Sequence, residues 1–229
     1  QDGNQTVTIV LTMNTGSTAD TTGYKNLNPN DIAVTVTDDD IPGVTVTPGT
    51  TIFSENGGTG SFSVVLNTQP NGNVVVDVAS NDTTEASVNK STLTFTTSNW
   101  STPQTVTISG VDDSIDDGNQ TFIIALTTNT GSTTDSTGYD SINPNDISVT
   151  VQDNDSIGYT VTSGTTTFSE NGGTGSFSVV LNTQPSGNVV IDITSNDTSE
   201  ATVNKSTLTF TPTDWNTTQT VTITGIDDV

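Results

Sequence analysis

The chain contains no cysteine, no histidine and no arginine, and its only basic side chains are Lys25, Lys90 and Lys205. Without cysteine there is neither a disulfide nor a thiol nucleophile. Without histidine there is no conventional Ser–His–Asp triad and no His-ligated metal. Three basic residues face 26 acidic ones, a formal charge of −23. That balance excludes nucleic-acid binding by phosphate neutralisation and opposes contact with anionic membranes. No apolar run reaches the length of a membrane span, and no stretch reads as a signal peptide. Aromatic residues make up 5% and hydrophobic residues 29% of the chain, which by composition alone would suggest disorder.

The order of the residues overrides that reading. Thr, Val, Ile and Phe alternate in short runs with a period of two, the mark of half-buried strands and not of helices. Strands are expected at Val44–Val46 leading to Ile52-Phe53, at Ser61–Leu66, Val74–Val78, Leu93–Thr96, Thr105–Val111, Thr121–Leu126 and Ile147–Val151. The turn chemistry of Pro70-Asn71-Gly72 between two of these predicts a hairpin. The inward faces would carry Phe53, Phe62, Val64, Leu66, Val75, Leu93, Phe95, Val106, Ile108, Phe122, Ile124 and Val149. Trp100 is expected to pack at the edge, and the Ser/Thr/Asn-rich segment from Asn129 to Asp146 to run over the surface. The fold class that follows is all-β, an antiparallel sandwich of about seven strands per module.

The sequence also repeats at an offset of 115 residues. Ser54-Glu55-Asn56-Gly57-Gly58 returns as Ser169-Glu170-Asn171-Gly172-Gly173, Trp100 as Trp215, and Gly3-Asn4-Gln5-Thr6 as Gly118-Asn119-Gln120-Thr121. This period is that of a domain. The expected division is the C-terminal part of one module at 1–40, a complete module at 41–155, and the N-terminal part of the next at 156–229. The links Ile41-Pro42-Gly43 and Ser156-Ile157-Gly158 are short, so neighbouring modules should form a semi-rigid rod. Two origins for the partial modules remain open: a window on a longer array, or a subunit whose half-modules complete each other between chains by strand donation.

Within a module the carboxylates cluster at loops that a sandwich can bring to one end: Glu55, Asp82, Asp112-Asp113 with Asp116-Asp117, and Asp153 with Asp155. Calcium takes six to eight oxygen ligands, which convergent Asp and Glu supply. The alternative is that these residues favour turns and solubility. The ordered set Phe53-Ser54-Glu55-Asn56-Gly57-Gly58, Ser80-Asn81-Asp82-Thr83, Val111-Asp112-Asp113 with Asp117 and Phe122, and Val149 to Asp155 resembles the Calx-beta domain. That family includes calcium-sensing domains of sodium–calcium exchangers and repeats of large bacterial surface or adhesin-type proteins.

The resemblance implies tandem immunoglobulin-like modules with Ca2+ bound at one end. The implied ligands are Glu55, Asp82, Asp112, Asp113, Asp117, Asp153 and Asp155, with the Asn154 carbonyl as a further candidate. In the partial modules they are Asp38 and Asp40, then Glu170, Asp197, Asp227 and Asp228. Gln120 and Asn154 stand where the exchanger-type domains carry acids, which implies fewer or weaker ions. The first function expected is a non-enzymatic, extracellular bacterial surface protein, a calcium-stiffened adhesin stalk or fibre whose partners are neighbouring identical modules. A self-assembling filament is the second. A carbohydrate-binding module, using Trp100 and the long loop on cell-surface glycans, is the third.

Overall fold

The structure, a computed structural model, describes residues 3–227. Its strands are β1 (Gln5–Ile9), β2 (Ile32–Val36), β3 (Val44–Pro48), β4 (Ile52–Ser54), β5 (Thr59–Leu66), β6 (Val74–Ser80), β7 (Ala86–Val88), β8 (Thr92–Phe95) and β9 (Gln104–Gly110). They continue as β10 (Gln120–Thr128), β11 (Ile147–Gln152), β12 (Tyr159–Ser163), β13 (Thr174–Leu181), β14 (Val189–Asp192), β15 (Ala201–Val203), β16 (Thr207–Phe210) and β17 (Gln219–Gly225). Among the described residues helix is confined to two single 3-10 turns, at Tyr24–Asn26 and Tyr139–Ser141.

In the middle of the chain two sheets face each other, a four-stranded one in the order β3-β5-β9-β7 and a five-stranded one in the order β4-β11-β10-β6-β8. The protein is all-β and immunoglobulin-like, with the core between the sheets. Strand count exceeds the expected seven in part because the first strand switches sheets. Proline cannot donate to a ladder; Pro48 is the last residue of β3, and the chain breaks at Gly49-Thr50-Thr51, leaving β3 in one sheet and β4 in the other. β4 then runs parallel to β11, the single parallel pair among the described strands.

Alternation determines what is buried. β5 points Phe62, Val64 and Leu66 inward, and β9 points Val106 and Ile108 inward, as expected. On β6 the phase is shifted by one residue: Val74, Val76 and Val78 are buried and Val75 lies outside them. Asp77 sets that phase, since its carboxylate belongs on the outer face, where Asn129 Nδ2 donates to Asp77 Oδ2 at 2.9 Å. Phe122 is only partly buried, while Leu126, Ile147 and Val151 join the core. Trp100, partly buried, packs against the core.

The expected hairpin at Pro70-Asn71-Gly72 does not form. β5 pairs with β3 and β9, whereas β6 pairs with β8 and β10, so the connection crosses between sheets. Its polar groups are taken by the segment 129–146 instead. The Asn71 amide donates to Asp135 Oδ1, the Thr134 amide to the Asn73 carbonyl, and any side chain at Gly72 would strike the Thr134 backbone. The segment 129–146 is correspondingly more than a surface excursion. Tyr139 is fully buried; its hydroxyl donates to the Thr68 carbonyl at 2.8 Å and accepts from the Thr68 amide at 3.0 Å.

The flanking segments repeat these pairings in part. β1 and β2 pair in the register of β10 and β11, with Gln5 opposite Val36 as Gln120 is opposite Val151. β12-β13-β17-β15 reproduces the four-stranded sheet, facing a two-stranded β14-β16 over a smaller core of Val179, Leu181, Leu208, Phe210 and Val221.

Candidate metal centre

The parallel β4–β11 pair is what gathers the acidic residues. Ser54 lies beside Gln152, and the Glu55 amide donates to the Gln152 carbonyl, so Glu55 and Asp153 leave their strands side by side. Ser109 at the end of β9 faces Thr59 at the start of β5, which brings Asp112-Asp113 to the same end. Gly110 permits that approach: a Cβ there would lie 2.6 Å from the Ser54 carbonyl oxygen and 2.7 Å from Glu55 Cα. β7 pairs with β9 through Ala86 and Gly110, so Glu85 sits beside Val111, whose amide donates to the Glu85 carbonyl at 2.9 Å.

Glu55, Asp153 and Asp155 each place a carboxylate oxygen within 4.8 Å of the other two. Glu55 is 3% exposed, and its Oε1 accepts from the Asn154 amide at 3.0 Å. Asp153 is clamped by backbone amides: Gly118 donates to Oδ2 at 2.7 Å and Asp155 to Oδ1 at 2.7 Å. Gly118 has φ of +75°, the left-handed conformation in which glycine is favoured. Asp155 Oδ2 is the one buried side-chain oxygen among the described residues with no hydrogen-bond partner.

The electrostatics follow from this crowding. The Asp155 amide, and also Gly118, hold Asp153 below the usual carboxylate range. Burial pushes Glu55 up, and the charges of Asp153, Asp113 and Asp155 add to it. Asp155 is raised for the same reasons, by burial first and then by Asp153, Asp112, Asp113 and Asp116. Glu85 is pushed up to about 7 by burial and by Asp117, Asp82, Asp113 and Glu55. Of the expected ligands, the structure brings Glu55, Asp153 and Asp155 within reach of one ion, while Asp112 and Asp113 act on Asp155, and Asp82 and Asp117 on Glu85.

Asp82 Oδ1 is turned to its own loop, accepting from the Thr84 hydroxyl at 2.6 Å, and Asp113 Oδ1 accepts from the Ile115 amide at 2.7 Å. The donor set suits a hard cation: several carboxylates, one buried oxygen unpartnered, and no basic side chain among the leading charges acting on Glu55, Glu85 or Asp155.

The sequence reading missed Glu85. A signal was available, because glutamate occurs only at Glu55, Glu85, Glu170 and Glu200, two positions per repeat against aspartate throughout the loops. Asp116 was not placed among the ligands, and its Oδ2 accepts from the Ile157 amide at 2.8 Å, tying the acidic loop to the link that follows.

The residues expected in the partial modules are not brought together. Asp38 copies Asp153, with Gly3 donating to Oδ2 at 2.6 Å and Asp40 to Oδ1 at 3.0 Å, but no glutamate stands beside it among the described residues. Glu170, Asp197 and Asp227 are exposed, and Asp197 is held below the usual range chiefly by the Ser199 hydroxyl. Asp228 lies outside the described residues. β11 stands beside buried Glu55, whereas among the described residues no strand stands beside exposed Glu170.

No protein family and no curated protein matches the sequence. Among solved structures, the calcium binding domain CBD12 of CALX1.1 is 17% identical, the match covering 81% of this chain and 77% of that one, with a TM-score of 0.34. CBD12 from CALX1.2 is 18% identical over 77% of this chain and 73% of that one, TM-score 0.34. WR4, a C. elegans MSP family member, is 12% identical over 48% of this chain and 95% of that one, TM-score 0.32. The chain is similar to these in fold alone.

Proposed function

We propose that the protein is a calcium-stiffened structural repeat, acting as a stalk or fibre of an extracellular bacterial surface protein and not as an enzyme. The observation that carries the reading is Asp155 Oδ2, a buried carboxylate oxygen without a partner beside Glu55 and Asp153. Burying such an oxygen is costly unless something positive meets it. Glu55, Asp153 and Asp155 would hold the ion, with Asp113, Asp117 and Glu85 nearby. A bound Ca2+ would supply hard positive charge to oxygens that otherwise repel one another.

The route from ion to rod runs through the loop Asp112–Asp117. In that loop Ser114 accepts at its carbonyl from the Gln184 amide at 2.8 Å, and Asp116 accepts from the Ile157 amide. The loop thus touches both the putting-together of the carboxylates and the start of the next segment. Ordering it by neutralising Asp113 and Asp117 would fix the link Ser156-Ile157-Gly158. A chain without disulfides gains a staple this way, and saturation at 100 times the dissociation constant would add about 2.7 kcal/mol per site. The partners under this reading are neighbouring identical modules.

Thermal unfolding of the 229-residue chain in millimolar calcium and in chelator tests the proposal. The melting temperature should rise with calcium, and Glu55→Gln should remove the rise. Equal melting temperatures in calcium and chelator would contradict it and leave the carboxylates as turn and solubility residues.

A further inference from the structure

Three asparagine–glycine steps occur in the chain, Asn56-Gly57, Asn71-Gly72 and Asn171-Gly172. Such a step can modify itself, because glycine bends easily and leaves its amide nitrogen open to the preceding side chain. The structure divides the three into two kinds. Asn71 is clamped. Its Nδ2 donates to Ser136 Oγ at 2.8 Å, its Oδ1 accepts from the Ser136 amide at 3.0 Å, and its own amide donates to Asp135 Oδ1 at 3.0 Å. Gly72 is wedged as well, since a Cβ there would lie 2.6 Å from the Thr134 carbonyl oxygen.

Asn56 is open. It and Gly57 are exposed in the turn that joins β4 to β5, and the Asn56 side chain has no hydrogen-bond partner among the described residues. Gly57 has φ of +71°, with nothing within 4 Å of the position a Cβ would take. A single bond occupies the nitrogen that would attack: the Gly57 amide donates to the Glu55 carbonyl at 2.7 Å, across a three-residue turn. The second copy repeats the geometry. Asn171 and Gly172 are exposed, Gly172 has φ of +70°, and its amide donates to the Glu170 carbonyl at 2.7 Å.

We propose that Asn56-Gly57, and with it Asn171-Gly172, is a site of spontaneous deamidation and isomerisation in which water is the co-reactant. The Gly57 nitrogen attacks Asn56 Cγ. The new N–C bond closes a five-membered imide as the bond from Cγ to Nδ2 breaks, and the Gly57 proton departs with Nδ2 in ammonia. Water then adds to one of the two imide carbonyls. Breaking the new bond leaves an aspartate at position 56. Breaking the original peptide bond leaves an isoaspartate there, its main chain routed through the side chain and one methylene longer. No atom is oxidised or reduced. Either product sets a further carboxylate next to Glu55 in a chain of charge −23. The isoaspartate also disturbs the turn, where the Gly58 amide donates to the Ser54 carbonyl and the Gly58 carbonyl accepts from the Gly110 amide, both at 3.0 Å. Those bonds hold Glu55 against the start of the acidic loop. A role for Glu55 toward a cation rests on the function proposed above, whereas the chemistry of Asn56 does not.

Peptide mapping by tandem mass spectrometry, with methyltransferase labelling of isoaspartate, tests the proposal on the 229-residue chain aged in chelator at pH 8. Asn56 and Asn171 should convert about tenfold or more faster than Asn71, whose two side-chain bonds to Ser136 must break first. In urea, where the turns are lost, all three should convert at similar rates. Asn56→Gln should remove the conversion at position 56, because glutamine must close a six-membered ring, and leave that at Asn171 unchanged. In a Trp215→Phe background, ageing should lower the melting temperature read at Trp100 in chelator, and Asn56→Gln should prevent the loss. Three results would each overturn the proposal: Asn71 converting as fast as Asn56 in the folded chain, no conversion of Asn56 over the interval in which the unfolded chain converts, or equal melting of the aged pair.

Discussion

Glu85→Gln should stabilise the central sandwich in chelator at pH 8 and lose that advantage in calcium. Glu85 is buried among Asp117, Asp82, Asp113 and Glu55, which raises its pKa from 4.5 to about 7. A carboxyl group with a raised folded pKa binds its proton more tightly in the folded state. Its cost is absent below pH 4.5, grows as pH rises toward 7, and is full above it. At 1.36 kcal/mol per pKa unit, that cost is about 3 kcal/mol. Glutamine keeps the shape and removes the charge, so the variant should gain about 1–3 kcal/mol at pH 8 in chelator, or about 5–10 °C in melting temperature. At pH 4 the two proteins should melt together. In saturating calcium the bound ion absorbs the repulsion and the gain should vanish. Trp100 fluorescence in a Trp215→Phe background follows the relevant segment. An equal gain with and without calcium, or no gain at pH 8 in chelator, would refute the reasoning.

Three other outcomes follow from the same geometry. Tyr139→Phe removes a hydroxyl bonded to both backbone groups of Thr68 and should cost about 1–3 kcal/mol in urea unfolding, since it strands buried polar groups. Gly110→Ala forces a Cβ against the Ser54 carbonyl and Glu55 backbone; it should destabilise by about 1–3 kcal/mol and weaken calcium binding, measured by calorimetric titration. Calcium affinity should fall as pH drops below about 7, because Glu85 and the raised Glu55 and Asp155 must shed protons before carboxylates can meet the ion; proton release measured in two buffers of different ionisation enthalpy checks it.

Much of the fold was legible because alternation and the repeat are local or periodic signals. β5, β8, β9 and β11 lie where the Val/Thr/Phe patterns put them. The hairpin at Pro70-Asn71-Gly72 failed because turn chemistry says that the chain reverses, not which sheet receives it. That decision came from Tyr139 and Asp135, more than sixty residues away, which take the turn's hydrogen-bonding groups. The phase of β6 was readable from Asp77, whose charge belongs outside. At the site, loops spread from Glu55 to Asp155 do converge, but what brings Glu55 beside Asp153 is the parallel β4–β11 pair, which no local pattern announces. Glu85 was hidden because it precedes a three-residue strand, too short for a periodicity to show which way it faces.

The most direct test of the central claim is calorimetric titration of calcium into the ion-free 229-residue chain at pH 7.5, beside the Asp155→Asn variant. The account predicts saturable binding to the native chain and at least a tenfold loss of affinity in the variant, about 1.4 kcal/mol. Binding of equal strength to both proteins, or no binding to either, would contradict it.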